Sequence, residues 1–231
     1  MIFEARPQKT LLFGQTFVTI DERGDFNFGF DPEDGYTGYV LSAALTEPLS
    51  ATHRVTSLAG HIYSQPNLKS AILMELSFGA RVALNEEAEG AWLKVLSPGG
   101  WVALQHVDEI SQPTLDWVVG AETFLGVPYL WGGNSSSGVD CSGLVQLAMY
   151  AAGRDCPRDS DLQEAAFPEA QGDLRRGDLV FWKGHVGILV DEETLLHANA
   201  HHMAVAKEPL AEAIERIGKK EFGAVTKYAR P

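Results

Sequence analysis

Residues 126–150 decide the fold of the second half of the chain, and their sequence is Gly-Val-Pro-Tyr-Leu-Trp-Gly-Gly-Asn-Ser-Ser-Ser-Gly-Val-Asp-Cys-Ser-Gly-Leu-Val-Gln-Leu-Ala-Met-Tyr. A loop rich in glycine and serine is followed by apolar residues at spacings of one, three and four, which are typical of a helix. This apolar stripe consists of Leu144, Val145, Ala148 and Met149. Asp140 is a favoured N-cap residue, and Gly153 is typical of the position after a helix. We therefore predict a helix that begins near Cys141.

Cys141 is a candidate nucleophile because it would lie in the first turn of this helix. The helix dipole and unpaired backbone N–H groups favour a thiolate there. A lone cysteine is more often a small buried core residue. A core cysteine, however, does not need the small residues 133–137 before it, whereas a reactive one needs room for a substrate.

The composition is that of a globular protein and excludes several functional classes. The chain has 231 residues, of which 45% are hydrophobic and 21% charged, and is long enough for two or three small domains. A net charge of −13 with scattered Lys and Arg residues opposes nucleic-acid binding. No apolar run reaches the roughly 18 to 20 residues that cross a bilayer, and the first nine residues do not resemble a signal peptide. We therefore expect no membrane insertion and a location in the cytoplasm.

The first half of the chain shows short strand patterns broken by turns, in two segments, 8–50 and 54–110. Phe13-Gly14 in the first segment corresponds to Phe78-Gly79 in the second, and Gly38-Tyr39-Val40 corresponds to Gly100-Trp101-Val102. This similarity indicates an internal repeat. We predict two small all-β barrels whose aromatic rings fill the cores. Among these rings are Phe26, Phe28 and Phe30, which alternation places on one strand face, whereas we expect Tyr36 outside the barrel.

A further domain is predicted over 113–231. Helical spacing in 117–125 is followed, beyond the Cys141 helix, by apolar runs that predict antiparallel strands. If the runs 185–190 and 194–200 form a hairpin, His185 and His197 share one face within cross-strand reach. Residues 212–216 would add a short surface helix.

Two histidines on one strand face suit a cysteine nucleophile. The nucleophile needs an imidazole that accepts and returns a proton, and that imidazole needs a third polar group to orient it. A histidine on a strand is more often structural. The combination of Cys141, His185 and His197 favours catalysis instead.

Five motifs occur in an order that resembles the NlpC-type cell-wall cysteine endopeptidases, a papain-like family. They are Pro-Tyr-Leu-Trp-Gly-Gly (128–133), Asp-Cys-Ser-Gly-Leu-Val (140–145), Arg-Arg-Gly-Asp-Leu-Val-Phe-Trp (175–182), Gly-His-Val-Gly-Ile (184–188) and Leu-Leu-His-Ala (195–198). The resemblance implies a multidomain protein, in which two SH3-like barrels precede an α+β papain-like domain with an antiparallel sheet. The resemblance also implies that the protein needs no cofactor and no metal.

The resemblance also implies roles for individual residues. Cys141 would be the nucleophile, His185 the general base and acid, and His197 the orienting residue. Tyr129, with backbone N–H groups near the cysteine, would stabilise the oxyanion. Asp140 and Ser142 are expected beside the oxyanion or the substrate.

One branch of this family is indicated by Arg-Asp-Ser-x-x-Gln at 158–163, together with the two SH3-like domains. That branch hydrolyses the bond between γ-D-glutamate and a diamino acid in small murein peptides, which are recycled from the cell wall. The resemblance implies that Asp159, Ser160 and Tyr36 bind the free ammonium of an N-terminal L-alanine. An acidic partner is expected beside Gly14, where this chain has the neutral Gln15.

Four alternatives remain open from the residues themselves. Asp159 and Ser160 also suit the cap of a short helix. The papain-like domain would bind a peptide without cleaving it, or act as an amidase or acyltransferase. Finally, a zinc site would combine Cys141 with three histidines, although no paired-cysteine motif accompanies them. These are His197, His201 and His202.

Overall fold

The computed structural model describes residues 8–231, in two compact units. Leu11–Gln112 forms one unit, and Pro113–Pro231, with residues 8–10, forms the other. None of the helices within 8–231 is both long and apolar enough to cross a membrane.

The unit Leu11–Gln112 consists of strands and short turns. Its strands are β1 (Val18–Arg23), β2 (Phe26–Phe30), β3 (Thr37–Leu41), β4 (His53–Val55), β5 (Ala59–Tyr63), β6 (Ile72–Ser77), β7 (Arg81–Val82), β8 (Leu84–Glu89), β9 (Trp92–Val95), β10 (Trp101–Ala103) and β11 (Val107–Glu109). They form three sheets, in the orders β1-β2-β3, β6-β5-β10-β9-β8 and β11-β4-β7. Short 3-10 turns occupy Ser42–Ala44 and Leu104–His106.

The first sheet differs from the prediction of a ring-filled core. In β2 the buried positions are Asn27 and Gly29, whereas the rings lie on the more exposed face. Phe26 is 44% exposed, and Phe28 packs against Tyr39 with 5.1 Å between ring centroids. The buried core of this unit is mostly aliphatic, with Ile62, Leu76 and Val102 fully buried, and it also contains the rings of Phe78 and Trp101.

Contacts within the unit link the two predicted barrel segments. The N–H of Arg81 donates to the carbonyl of Phe13 at 2.8 Å, and the Arg81 guanidinium binds Glu33 at 2.5 Å. The arrangement as two SH3-like barrels over 8–50 and 54–110 stays a prediction.

The unit that contains Cys141 is α+β, as predicted. Its helices are α1 (Trp117–Glu122), α2 (Cys141–Ala151), α3 (Ser160–Ala166) and α4 (Leu210–Lys220). Its strands are β12 (Asn134–Ser135), β13 (Gly138–Val139), β14 (Leu179–Trp182), β15 (His185–Leu189), β16 (Thr194–Asn199), β17 (Ala204–Pro209) and β18 (Lys227–Ala229). Five of them form an antiparallel sheet in the order β17-β16-β15-β14-β18.

Helix α2 begins at Cys141, as the sequence predicts, but it is buried almost all round. Every residue from Cys141 to Met149 is buried, because the helix packs on α1 and on β15 and β16. The sequence pattern therefore predicted where the helix begins. It indicated one buried face only, whereas the helix is buried on nearly all sides.

Residues after 209 contribute more than the predicted surface helix. Leu210, Ala213 and Ile217 of α4 pack on the sheet residues Val180 and Leu195. Strand β18 pairs with β14, and the Arg230 guanidinium next to it makes two 2.7 Å hydrogen bonds to the buried carboxylate of Asp178.

We predict that Gly14→Ala destabilises the N-terminal unit more than Gly24→Ala. Both glycines have positive φ, so each substitution strains the backbone by about 1–2 kcal/mol. At Gly14 the new Cβ would also lie 2.1 Å from the Arg81 carbonyl oxygen, whereas at Gly24 it meets nothing within 4 Å. Urea unfolding of both variants measures the difference, and equal losses would contradict the close approach.

Candidate active site

Asp140 fixes the start of the helix that carries Cys141. Its Oδ1 accepts a hydrogen bond from the N–H of Gly143 at 2.7 Å, and its Oδ2 accepts one from the N–H of Gly132 at 2.9 Å. The first bond is the predicted N-cap, which satisfies an otherwise unpaired donor of the helix. The second ties the glycine-rich loop to the same carboxylate, so loop and helix meet at Cys141.

Arg158 holds Asp140 from the other side, and the sequence analysis had assigned it no role. Its guanidinium makes a bidentate ion pair with the carboxylate, at 2.9 and 2.7 Å. It also donates to Ser142 Oγ at 3.0 Å, and its side chain is only 1% exposed. The side chains of Asp140 and Ser142 thus contact Arg158. Arg158 is the first residue of the Arg-Asp-Ser-x-x-Gln motif at 158–163, and its place in that motif was the one sequence feature that pointed to a role for it.

The same motif places Asp159 and Ser160 at the start of α3. Gln163, at the end of the motif, donates to the carbonyl of Ser142 at 3.0 Å and so joins α3 to α2. Asp159 occupies the N-cap position, but its side chain makes no hydrogen bond to the helix backbone. Asp159 therefore occupies the position that the capping alternative predicts, but without the side-chain hydrogen bond of a cap.

The Cys141 side chain is held as a thiol. Burial raises its pKa to about 11, and the charge of Asp140 adds to this effect. Hydrogen bonds from the backbone N–H groups of Val186 and Ser142 lower the pKa but do not outweigh burial. Backbone N–H groups at the helix N-terminus therefore favour the thiolate, as expected, but burial outweighs them because desolvation of the anion costs more than these hydrogen bonds contribute.

His185 and His197 meet as the strand pattern predicts. The pairs Ile188–Leu196 and Leu189–Leu195 set the register of β15 and β16, and this makes the two histidines diagonal neighbours. His185 Nε2 lies 2.8 Å from His197 Nδ1. Because Val186 follows His185 directly, the backbone contact of Cys141 places the thiol beside the start of β15.

Burial keeps both imidazoles neutral. His185 is 3% and His197 0% exposed. Burial lowers the pKa of His185 to about 3, with a smaller contribution from His197. Burial also lowers the pKa of His197, although Glu208 opposes this shift.

Aromatic rings enclose His185. The ring of Phe222 stacks on it with 5.3 Å between centroids and an interplanar angle of 10°. Trp182 packs at 5.7 Å with a tilt of 41°. Phe222 comes from the segment after α4, and nothing in the local sequence indicated this contact.

Tyr129 lies beside the nucleophile helix. Its backbone forms a bridge with Val139 and donates to the carbonyl of Met203 at 3.0 Å. Burial raises its pKa, and electrostatic interactions with the acidic groups of Cys141 and Asp140 raise it further. The phenol therefore keeps its proton and can donate a hydrogen bond.

The two remaining predicted residues lie in the other unit. Tyr36 directly precedes β3, where its backbone N–H donates to Asp34 Oδ1 at 3.0 Å. The side-chain oxygen of Gln15 accepts from the N–H of Leu12 at 2.6 Å. Gln15 thus stabilises a turn, and the role of Tyr36 at a substrate stays a prediction.

The structure brings together two residues of the zinc alternative, His197 and His202, with a third residue that the alternative did not include. His197, His202 and Glu208 offer possible ligand atoms within 4.8 Å of one another. Both ring nitrogens of His197 are already used, however, since Nδ1 lies at His185 and Nε2 lies 2.6 Å from Glu208 Oε1. A cation would have to displace these contacts. Glu208 was not predicted as a site residue, because a glutamate on a strand resembles a solvated side chain.

Known proteins share both the motifs and the fold. Residues 126–216 match the NlpC/P60 family. The chain is 31% identical to the γ-D-glutamyl-L-lysine dipeptidyl-peptidase of Bacillus subtilis, over 83% of this chain and 72% of that protein. For the same enzyme of Bacillus cereus the identity is 28%, over 86% and 69%. A crystal structure of an NlpC/P60 family protein from Bacillus cereus matches with a TM-score of 0.81 and 23% identity, covering 96% of this chain and 81% of that one.

We predict that Arg158→Ala lowers the free energy of unfolding by about 3–5 kcal/mol, because it leaves the Asp140 carboxylate buried without its partner. Arg176→Ala is the matched control. Arg176 also binds two carboxylates, those of Asp116 and Glu122, but it is 35% exposed, so its loss costs only about 1 kcal/mol. Denaturant unfolding compares the two, and similar losses would contradict the role given to Arg158.

Proposed function

The chain belongs to the NlpC/P60 family of cysteine peptidases, and from this premise we propose that it hydrolyses the γ-D-glutamyl–diamino acid bond of murein peptides with a free N-terminal L-alanine. The observation that carries the proposal is that the Cys141 thiol contacts the backbone of Val186, the residue directly after His185, while the His185 ring contacts the imidazole of His197. The relatives named as γ-D-glutamyl-L-lysine dipeptidyl-peptidases support the choice of bond. A role in peptide recycling in the cytoplasm stays a prediction.

The first chemical step is acylation of Cys141. Because His185 Nε2 is engaged by His197, Nδ1 is the nitrogen that accepts the thiol proton. As the proton leaves, the sulphur bonds to the γ-carbonyl carbon of D-glutamate and the carbonyl oxygen becomes an oxyanion. The Tyr129 hydroxyl and backbone N–H groups near Cys141 stabilise this oxyanion, and one such donor contributes about 3–4 kcal/mol.

The oxyanion then reforms the carbonyl and the C–N bond breaks. His185 gives its proton to the departing amine of the diamino acid, which leaves a thioester on Cys141. A water molecule gives a proton to Nδ1 of His185 and attacks the thioester carbon. Cleavage of the C–S bond releases L-Ala-γ-D-Glu, and the sulphur recovers the proton from His185.

The neutral resting state fits this order of events. With a thiol pKa of about 11 and an imidazole pKa of about 3, charge does not separate in the free enzyme. Proton transfer has to accompany formation of the C–S bond, when negative charge moves to the oxyanion. The stacked ring of Phe222 keeps water from one face of the base meanwhile.

We place the substrate ammonium at Asp159 and Ser160. A carboxylate gains an ion pair when a substrate ammonium binds to it, whereas an acylated amine brings no charge to it. This contact would select short peptides with a free amine. Tyr36 and the neutral Gln15 belong to the other unit, and their part in recognition stays a prediction.

We predict that Cys141→Ala abolishes hydrolysis of L-Ala-γ-D-Glu-L-Lys, with kcat reduced by at least about 10⁴-fold. Cys156→Ala is the control, since Cys156 is also a buried free cysteine but is not part of the proposed mechanism. Mass spectrometry of the products measures both and distinguishes hydrolysis from acyl transfer. Turnover by Cys141→Ala, or binding without cleavage by the wild type, would contradict the mechanism.

Acetylation of the substrate amine is expected to lower kcat/KM by about 30-fold or more, the effect of removing one partner of a charge pair that the bound substrate covers. Asp159→Asn should reduce this discrimination, whereas Asp161→Asn, on the exposed side of the same turn, should keep it. The rates on free and acetylated peptides are compared for the three proteins. Equal wild-type rates on both peptides would reject the ammonium site and leave the assignment of Cys141 intact.

A further inference from the structure

The hydrogen bonds from the catalytic base continue beyond His197 into a second charged pair. His197 Nε2 lies 2.6 Å from Glu208 Oε1, and the same oxygen lies 2.5 Å from Arg216 Nη2. Glu208 comes from β17 and Arg216 from α4. In the pairing of β16 with β17, Glu208 faces Leu195, which places it diagonal to His197 on the same face of the sheet.

This second pair is largely removed from solvent. The side chain of Glu208 is 12% exposed and that of Arg216 is 14% exposed, while His197 is fully buried. Arg216 is further held by Glu221 on its other nitrogen. A continuous series of side-chain contacts thus extends from the proposed base to α4, through His185, His197, Glu208 and Arg216.

The donor and acceptor in each of these hydrogen bonds determine the tautomer of each imidazole. Burial opposes ionisation of Glu208, but hydrogen bonds from His197 and Arg216 lower its pKa to about 2. An ionised carboxylate only accepts hydrogen bonds, so His197 Nε2 carries a proton. A neutral imidazole carries only one, and His197 Nδ1 therefore accepts. His185 Nε2 must be the donor to it, which leaves His185 Nδ1 with a free lone pair.

We propose that Glu208, held in place by Arg216, is a positioning residue that sets the tautomer of His197 and, through it, the tautomer of His185. It keeps the lone pair of His185 on Nδ1, the nitrogen that takes the thiol proton. Neither Glu208 nor Arg216 touches the substrate. The inference rests on the proposed function, because it assumes that His185 is the base for Cys141.

A purely electrostatic role for the pair is less consistent with the geometry. Glu208 favours a protonated His185, but Arg216 opposes it at least as strongly. The two charges therefore do not make His185 a stronger base. What they determine is which nitrogen carries the proton. In serine peptidases, a base held in the wrong tautomer costs about 10⁴-fold in kcat.

The test first removes the side-chain oxygen of residue 208 that accepts the His197 hydrogen bond, and then restores an oxygen there without the negative charge. Glu208→Ala, and Glu208→Met as a variant that keeps the volume, should lower kcat by about 100-fold or more while KM changes less than about threefold. Glu208→Gln should recover most of the activity. Arg216 can only donate, so it holds the amide oxygen at the position that His197 also uses. Glu215→Ala, an exposed glutamate of α4 paired with Lys219, is the control and should behave as wild type.

Nitrogen-15 NMR of the histidine rings provides the second readout, since a protonated and an unprotonated ring nitrogen have different shifts. In the Cys141→Ala background, His185 should carry its proton on Nε2 when residue 208 is Glu or Gln, and partly on Nδ1 when it is Ala or Met. This spectrum does not depend on hydrolysis, so failure of this inference is distinguishable from failure of the proposed function. An unchanged His185 tautomer in all variants, or activity of Glu208→Ala and Glu208→Met within threefold of Glu215→Ala, would overturn it.

Discussion

Desolvation of a weak acid and a weak base side by side is the constraint on which the rest of the catalytic unit depends. Burial favours the neutral forms of both Cys141 and His185, so the site stores no ion pair before substrate arrives. In the proposed mechanism, backbone N–H groups, the Tyr129 phenol and the His197 imidazole supply the stabilisation that water would otherwise provide. The backbone N–H groups near Cys141 have to be held in place for this, and the buried ion pair of Arg158 with Asp140 fixes the helix terminus that carries them.

The parts of this arrangement that follow from local pattern could be predicted from sequence. The start of α2 at Cys141 and the N-cap at Asp140 depend on neighbouring residues, and the meeting of His185 with His197 depends on one short hairpin. The effect of the helix N-terminus on Cys141 is a local property and could be predicted, whereas the larger effect of burial depends on the packing of α2 between α1 and the sheet and could not.

Residues that reach the site across long stretches of sequence were not predicted. Arg158, Glu208 and Arg216 are charged and lie in segments that resemble solvated surface, yet each pairs inside the unit. Phe222 lies 37 positions after the imidazole on which it stacks. In the N-terminal unit, alternation correctly placed the rings of β2 on one face, but it could not tell which face is buried, because that depends on which sheet packs there.

The position of β18 has a consequence for biosynthesis. Residues 227–230 complete the sheet of the catalytic unit, through the pairing of β18 with β14 and the contact of Arg230 with Asp178. A ribosome covers the most recently added residues, so this sheet stays open until translation has passed Arg230 and that segment has left the exit tunnel. The sheet of the peptidase unit can therefore be completed only after these residues have left the exit tunnel, even where the N-terminal unit folds earlier on the nascent chain.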